Sequence, residues 1–122
     1  MLKVQSKEPG IIEIEIDGEI DATEMEAGLN RLFELSADLK GGGLFYRITN
    51  FAMPTMAAIG VKMTSMPKLF ALITKFDKAA VLTDESWIAT ASSIEGALIP
   101  GLDIKPFDLD AEDAALAYLR GQ

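Results

Sequence analysis

Residues 11–17, Ile-Ile-Glu-Ile-Glu-Ile-Asp, alternate between apolar and acidic side chains. This period of two is typical of a β-strand with one buried face and one wetted face. Asp21 and Glu24 follow with the spacing of a capping box, in which Asp21 accepts from an early helical N–H and Glu24 reaches back. The change from a strand pattern to a helix pattern within a few residues constrains the fold more than any other feature of the chain.

Strand and helix patterns continue to alternate along the rest of the chain. Residues 2–6 are predicted to pair with the 11–17 strand through a turn at Pro9-Gly10. Further strands are predicted at 44–48, 79–83 and 104–107. Helices are predicted at 21–39, at 55–76 with a kink near Pro67, at 84–98, and from Asp110 onward.

The predicted order is β-β-α-β-α-β-α-β-α. This order favours an α/β fold with a mixed, mostly parallel sheet flanked by helices and an antiparallel hairpin at its start. No repeat or linker interrupts the sequence, so residues 1–122 are expected to form a single domain.

The residue types exclude several kinds of chemistry. The chain has no cysteine and no histidine, so it lacks thiolate ligands, thiol nucleophiles and imidazole bases. Its clustered carboxylates match no known metal-binding loop. We therefore expect a protein that is not an enzyme and that holds no cofactor and no metal. A net charge of −8 opposes nucleic-acid binding. The absence of a signal peptide and of a spanning apolar run predicts a cytoplasmic protein.

The charge distribution singles out one segment. Residues 39–76 contain no acidic residue, five of the eleven basic residues and four of the six methionines. Methionine adapts to apolar ligands of different shapes. A stripe of apolar residues that begins at Met56 and steps by three and four also fits an ordinary core, in which Met56 faces the sheet. One hypothesis is therefore an apolar pocket for a small apolar, amphipathic or lipid-like molecule, lined by Phe51, Met53, Met56, Met63, Met66 and Phe70.

A second apolar stripe runs along the same segment and is flanked by lysines. Such a stripe either is buried, for example against a second subunit in a homodimer, or meets a membrane surface. Apolar side chains would enter the headgroup boundary while lysines meet anionic lipid, which predicts weak peripheral association at the inner membrane surface. The predicted membrane or partner surface consists of Lys62, Lys68, Leu69, Leu72, Lys75 and Phe76.

Three strings in this order resemble the STAS domains (sulfate transporter and anti-sigma-factor antagonist), and in particular the stand-alone bacterial SpoIIAA-like proteins. The matching strings are Gly18-Glu-Ile-Asp21, Lys78-Ala-Ala-Val-Leu-Thr-Asp84 followed by Trp87, and Ile104-Lys-Pro-Phe107 followed by Glu112-Asp-Ala-Ala-Leu-Ala-Tyr-Leu119. The resemblance implies a small non-enzymatic domain with a curved sheet flanked by helices.

One motif of the anti-sigma-factor antagonists is missing from this sequence. In anti-sigma-factor antagonists the loop after the third strand carries an Asp-Ser-Ser/Thr-Gly-type motif whose serine or threonine is phosphorylated. The corresponding residues 48–55 contain no Asp, no Ser and no Gly, so the phosphorylation switch is not carried over. The sequence leaves two hypotheses: a module that binds a small apolar ligand and associates with membranes, and a regulator that binds a protein in the manner of an anti-sigma-factor antagonist without phosphorylation.

Overall fold

The computed structural model describes residues 1–50, 52, 55–64, 67, 71, 72, 74–84 and 102–121, and the side chains of residues 59, 62 and 63 are outside this description. The described elements are β1 (Leu2–Glu8), β2 (Ile11–Asp17), α1 (Ala22–Ser36), β3 (Gly42–Thr49), α2 (Met56–Thr64), β4 (Phe76–Thr83), β5 (Asp103–Phe107) and α3 (Glu112–Leu119).

The five strands form one sheet in the order β1-β2-β3-β4-β5. β1 and β2 are antiparallel, and each later pair is parallel. The turn between β1 and β2 uses Gly10 at φ 85°, a conformation that glycine adopts at little cost. The predicted mixed, mostly parallel α/β sheet with a starting hairpin is therefore confirmed.

Each face of the sheet buries its own apolar cluster. On one face, Ile12 and Leu44 pack in a cluster with Leu32 of α1. On the other face, Phe45 and Leu82, both fully buried, pack with Ala115 of α3. The alternation of side chains along each strand thus places α1 and α3 on opposite sides of the sheet.

The start of α1 confirms half of the predicted capping box. The Oδ1 atom of Asp21 accepts from the backbone N–H of Glu24 at 2.8 Å. The carboxylate of Glu24 does not complete the reciprocal bond, because it accepts from the backbone N–H of Leu2 at 3.2 Å instead. Glu24 therefore ties α1 to the edge strand β1.

A cluster of ion pairs holds α3 against the sheet. The carboxylate of Glu112, in the first turn of α3, lies 3.0 Å from Lys7 Nζ and 2.8 Å from Arg47 Nη2. The hydrogen bond from Lys7 lowers the pKa of Glu112, and the same bond raises the pKa of Lys7. Arg120 forms a two-pronged contact with Glu8 at 3.1 and 2.7 Å, so both ends of α3 reach β1.

Two predicted boundaries are wrong. The helix predicted to reach Phe76 ends earlier, because β4 already begins at Phe76. Phe76 pairs with Gly42 of β3, where an added Cβ would lie 3.0 Å from the carbonyl oxygen of Gly10 and 3.2 Å from Leu39 Cδ1, so these two neighbours leave little room for a larger residue. The last helix begins at Glu112 rather than Asp110.

Other predicted features fall outside the description. The helix predicted at 84–98 lies outside the described residues except for Asp84, which is a bend. The kink predicted near residues 65 and 66 lies outside them too, and Pro67 itself is helical. Within the described part of the chain, no helix has the length and apolar character needed to cross a membrane.

Candidate functional site

The orientation of α2 is fixed by its inner side and by its first residue. Ala58 is fully buried in a cluster with Ile20 and Met25, and Val61 packs against that cluster. Thr55 precedes the helix, and its Oγ1 accepts from the backbone N–H of Ala58 at 3.1 Å as an N-cap does. The backbone N–H of Thr55 donates to the carbonyl of Ile20 at 3.0 Å and so ties α2 to the turn before α1.

The opposite side of α2 faces solvent. We call its exposed residues Met56, Ala57, Gly60 and Thr64 the α2 outer face. Met56 is 83% exposed, the highest value among the exposed large apolar side chains of the described residues. The next exposed residues that the structure describes, Pro67, Ala71 and Thr74, are uncharged as well. The exposed residues that the structure describes between Met56 and Thr74 are therefore all uncharged.

The loop that leads to α2 starts with a strained residue. Asn50 follows β3 with φ 47°, in the left-handed region that asparagine tolerates better than most residues. Its Nδ2 donates to Asp17 Oδ1 at 2.8 Å, and the N–H of Gly18 donates to the carbonyl of Thr49 at 3.3 Å. The ends of β2 and β3 are therefore joined at the place where the chain leaves for α2.

This exit from β3 is negatively charged. The Asp17 carboxylate accepts from Asn50 and so lies beside the start of the loop that leads to α2.

The structure describes only part of the predicted ligand-binding set. Phe51, Met53, Met66 and Phe70 lie outside the described residues. The backbone of Met63 is part of α2, but its side chain is outside the description. The prediction that Met56 faces the sheet is wrong, because Ala58 occupies the inner side of the helix.

The predicted membrane or partner surface is divided in a similar way. Leu72 and Phe76 are buried in the core, at 6% and 2% exposure, so neither offers surface to a membrane or a partner. Lys75 is half-buried and its Nζ donates to the carbonyl of Ala37 at 2.9 Å, where it caps the end of α1. Lys68, Leu69 and the side chain of Lys62 lie outside the description.

A pocket of about 430 Å³ lies at the other end of the sheet, between the end of α1 and the start of β4. Its lining residues are Ala37, Asp38, Leu39, Lys40, Gly41, Thr74 and Lys75. Of the predicted site residues that the structure describes, only Lys75 lines this pocket. None of the described methionines and phenylalanines is among its lining residues.

Sequence reasoning missed two features of this region. The small residues Ala57, Gly60 and Thr64 are spaced by three and four, which was a visible signal for an uncharged helix face. The bond between Asn50 and Asp17 gave no signal, because the two residues are distant in sequence and meet only through the parallel pairing of β2 and β3.

Comparison with known families decides the relationship. The profile of the SpoIIAA-like family matches residues 11–120. The chain belongs to the SpoIIAA-like family. This match confirms the resemblance that the sequence strings indicated, within the STAS superfamily. None of the curated proteins matches the sequence.

Solved structures agree with the SpoIIAA-like fold. An uncharacterized protein of the DUF3478 family from Shewanella loihica PV-4, described as having a SpoIIAA-like fold, superposes with a TM-score of 0.75 at 16% identity, covering 98% of this chain and 92% of that one. The anti-sigma factor antagonist SpoIIAA in its unphosphorylated form superposes with a TM-score of 0.60 at 12% identity and covers both chains completely. At these identities the likeness shows the fold.

Proposed function

We propose that this SpoIIAA-like chain is a non-enzymatic regulatory module that binds a partner protein through the α2 outer face. The observation that carries the proposal is the exposure of an uncharged helix side, headed by Met56 at 83% exposure, in a chain of net charge −8. Depletion of charge together with an exposed methionine is a feature of the central part of protein interfaces.

Gly60 is a second argument for a binding surface on the α2 outer face. A Cβ added there would have no atom of the described residues within 4 Å, so packing against the described part of the chain does not require glycine. Glycine inside a helix costs about 0.5–1 kcal/mol relative to alanine. A partner that packs closely against the helix backbone at this position would explain a residue that the fold itself does not need.

Phosphorylation has no part in this proposal. The anti-sigma factor antagonist that shares the fold is described in an unphosphorylated form, which implies a phosphorylated form of that protein. In this chain residues 48–55 lack the motif, and Asp17 places a negative charge beside the start of that loop. We therefore propose that binding is controlled by the amount of partner present rather than by a phosphate on the loop.

The hypothesis of a lipid or small apolar ligand has less support. Leu72 and Phe76 belong to the core, and Lys75 is bound to a backbone carbonyl. Met56 is the described member of the two predicted sets that presents an apolar side chain to solvent. One exposed methionine suits a protein contact and gives little anchorage in a bilayer.

The experiment compares two alanine-to-lysine variants at exposed helix positions. Ala57→Lys puts a charge on the α2 outer face, and Ala114→Lys puts the same charge on α3. Proteins that co-purify with the wild-type chain from its native host are identified, and each candidate is then purified and titrated against all three forms by calorimetry. We expect a partner whose dissociation constant rises about tenfold or more for Ala57→Lys, because an unpaired lysine would be buried, and changes less than about twofold for Ala114→Lys.

Two results would contradict the proposal. In the first, every direct binder tolerates Ala57→Lys as well as it tolerates Ala114→Lys. In the second, no protein binds and a lipid co-purifies, as mass spectrometry would show. Thermal unfolding of both variants serves as the control for folding.

A further inference from the structure

β1 and β5 are the edge strands of the sheet. The hydrogen bonds between β1 and β2 show which backbone groups of β1 face away from the sheet. The N–H of Asp17 donates to the carbonyl of Met1 at 2.9 Å, so residues 1 and 17 form a hydrogen-bonded pair. Such pairs alternate along an antiparallel ladder. In the observed register Lys3 and Gln5 therefore direct their backbone groups toward β2, and Leu2, Val4 and Ser6 direct theirs outward.

The outward groups of β1 are open at Val4 and Ser6, whereas the N–H of Leu2 is occupied. The N–H of Leu2 points away from β2 and binds the Glu24 carboxylate, which agrees with the assignment. Among the residues that the structure describes, nothing bonds the outward N–H and C=O groups of Val4 and Ser6. Ser6 is exposed and Val4 is half-buried.

The other edge strand, β5, has features that discourage pairing with a further strand. β5 has five residues, among them Pro106, which has no N–H, and the exposed Lys105. Proline, lysine and short length are devices that discourage strand pairing. β1 carries two lysines and a bulge between Ser6 and Glu8, but it has seven residues and no proline, so its length and its N–H groups make it the edge better suited to pairing.

We propose that two copies of this chain pair through β1. The strands run antiparallel with Val4 opposite the partner's Val4, and the two sheets become one sheet of ten strands, twice the five observed here. In this arrangement the outward groups of Val4 bond the same groups of the second copy, and the N–H of Ser6 donates to the carbonyl of the partner's Leu2, while the N–H of Leu2 keeps its bond to Glu24. The contact is isologous, as a twofold axis requires.

Side-chain charge selects this register over its neighbours. With Val4 on the axis, Lys3 stands opposite the partner's Gln5, which is neutral. A shift in one direction puts Lys3 opposite the partner's Lys3, and a shift in the other puts Lys3 opposite the partner's Lys7. Like charges directly opposite each other destabilise a strand pair, so both shifted registers are disfavoured.

The overall charge sets the conditions under which the dimer forms. Each copy carries −8, and two copies repel each other. β1 itself carries Lys3 and Lys7 against one acidic residue, Glu8, so the two paired strands also carry net charge of the same sign. Because a strand edge is smaller than a standard interface, we expect a weak dimer that salt strengthens by screening the acidic remainder.

Sedimentation equilibrium over a range of protein and salt concentrations tests the pairing. The wild-type mass is expected to rise from 13.2 kDa toward twice that value with protein concentration, and further with salt. Ser6→Pro deletes one outward N–H and lowers the dimer fraction. Gln5→Lys faces the partner's Lys3 and lowers it too, whereas Lys3→Glu added to Gln5→Lys restores it. Asp103→Asn, an equal charge change on β5, does not lower it.

Three outcomes overturn the pairing. The wild-type chain stays at the monomer mass at its highest soluble concentration, the dimer is insensitive to Gln5→Lys, or Ala57→Lys dissociates it and so places the contact on α2. Thermal unfolding checks each variant, and if Ser6→Pro fails to fold, Gln5→Lys and its rescue decide the matter. The dimer contact is separate from the α2 outer face, so either proposal stands or falls without the other.

Discussion

Two glycines inside helices allow one substitution to be compared in two environments. Gly28 of α1 and Gly60 of α2 would each gain about 0.8–1 kcal/mol of helix propensity on mutation to alanine. At Gly60 the new methyl group has no atom of the described residues within 4 Å. At Gly28 it would overlap Leu2 Cδ2 and lie 2.9 Å from Leu2 Cγ, which is closer than real Cβ atoms approach.

The expected change in the free energy of unfolding therefore differs between Gly60→Ala and Gly28→Ala. Gly60→Ala should raise the free energy of unfolding by about 0.5–1 kcal/mol, and the melting temperature by about 2–4 °C. Overpacking usually costs about 1–3 kcal/mol. Since Gly28→Ala gains the same propensity and adds this cost, it should be about 1–3 kcal/mol less stable than Gly60→Ala.

Urea unfolding followed by circular dichroism measures both values. Equal slopes of free energy against denaturant for the two variants are the control, because they show that the unfolded states are alike. A Gly28→Ala variant as stable as Gly60→Ala would refute the claim that Gly28 is needed for the approach of β1 to α1. Under the proposed function, Gly60→Ala should also weaken partner binding while it stabilises the fold.

Three further predictions follow from the core, the ion pairs and the predicted lipid surface. Leu82→Ala should lower the free energy of unfolding by about 2–5 kcal/mol, since Leu82 is fully buried; a loss below 1 kcal/mol in urea unfolding would contradict its place in the core. Because the pKa of Glu112 is lowered in the folded state, Glu112 stabilises the fold above its ordinary pKa of 4.5. This stabilisation is lost as pH falls through the folded-state pKa of Glu112. Because the pKa of Lys7 is raised in the folded state, Lys7 stabilises the fold below its ordinary pKa of 10.5. This stabilisation is lost as pH rises through the folded-state pKa of Lys7. Glu112→Gln should therefore flatten the acid side of a profile of melting temperature against pH, and an unchanged profile would count against the ion pair. In flotation with vesicles that contain anionic lipid, we expect the wild-type chain to stay unbound. Binding of the wild-type chain would instead favour the lipid hypothesis if it is lost in a variant that carries glutamate in place of Lys62, Lys68 and Lys75.

Much of the fold could be predicted because its signals are local. The isoleucine alternation in β2 and the cap at Asp21 depend on neighbouring residues, and both are found as expected. The candidate site was harder, because α2 has apolar residues on more than one side and periodicity does not say which side is buried. Met56 was assigned to the inner side on spacing alone, and its exposure shows that the smaller Ala58 fits that place.

The sequence by itself determined the order of strands and helices, the mixed sheet that this order favours, and the lack of imidazole and thiol chemistry. These depend on residue type and local spacing. Only the tertiary structure decided that Phe76 starts a strand beside Gly42, that Asn50 bonds Asp17, and that one side of α2 faces solvent. Each of these depends on contacts between residues far apart in the chain, and such contacts exist only once the sheet has brought them together.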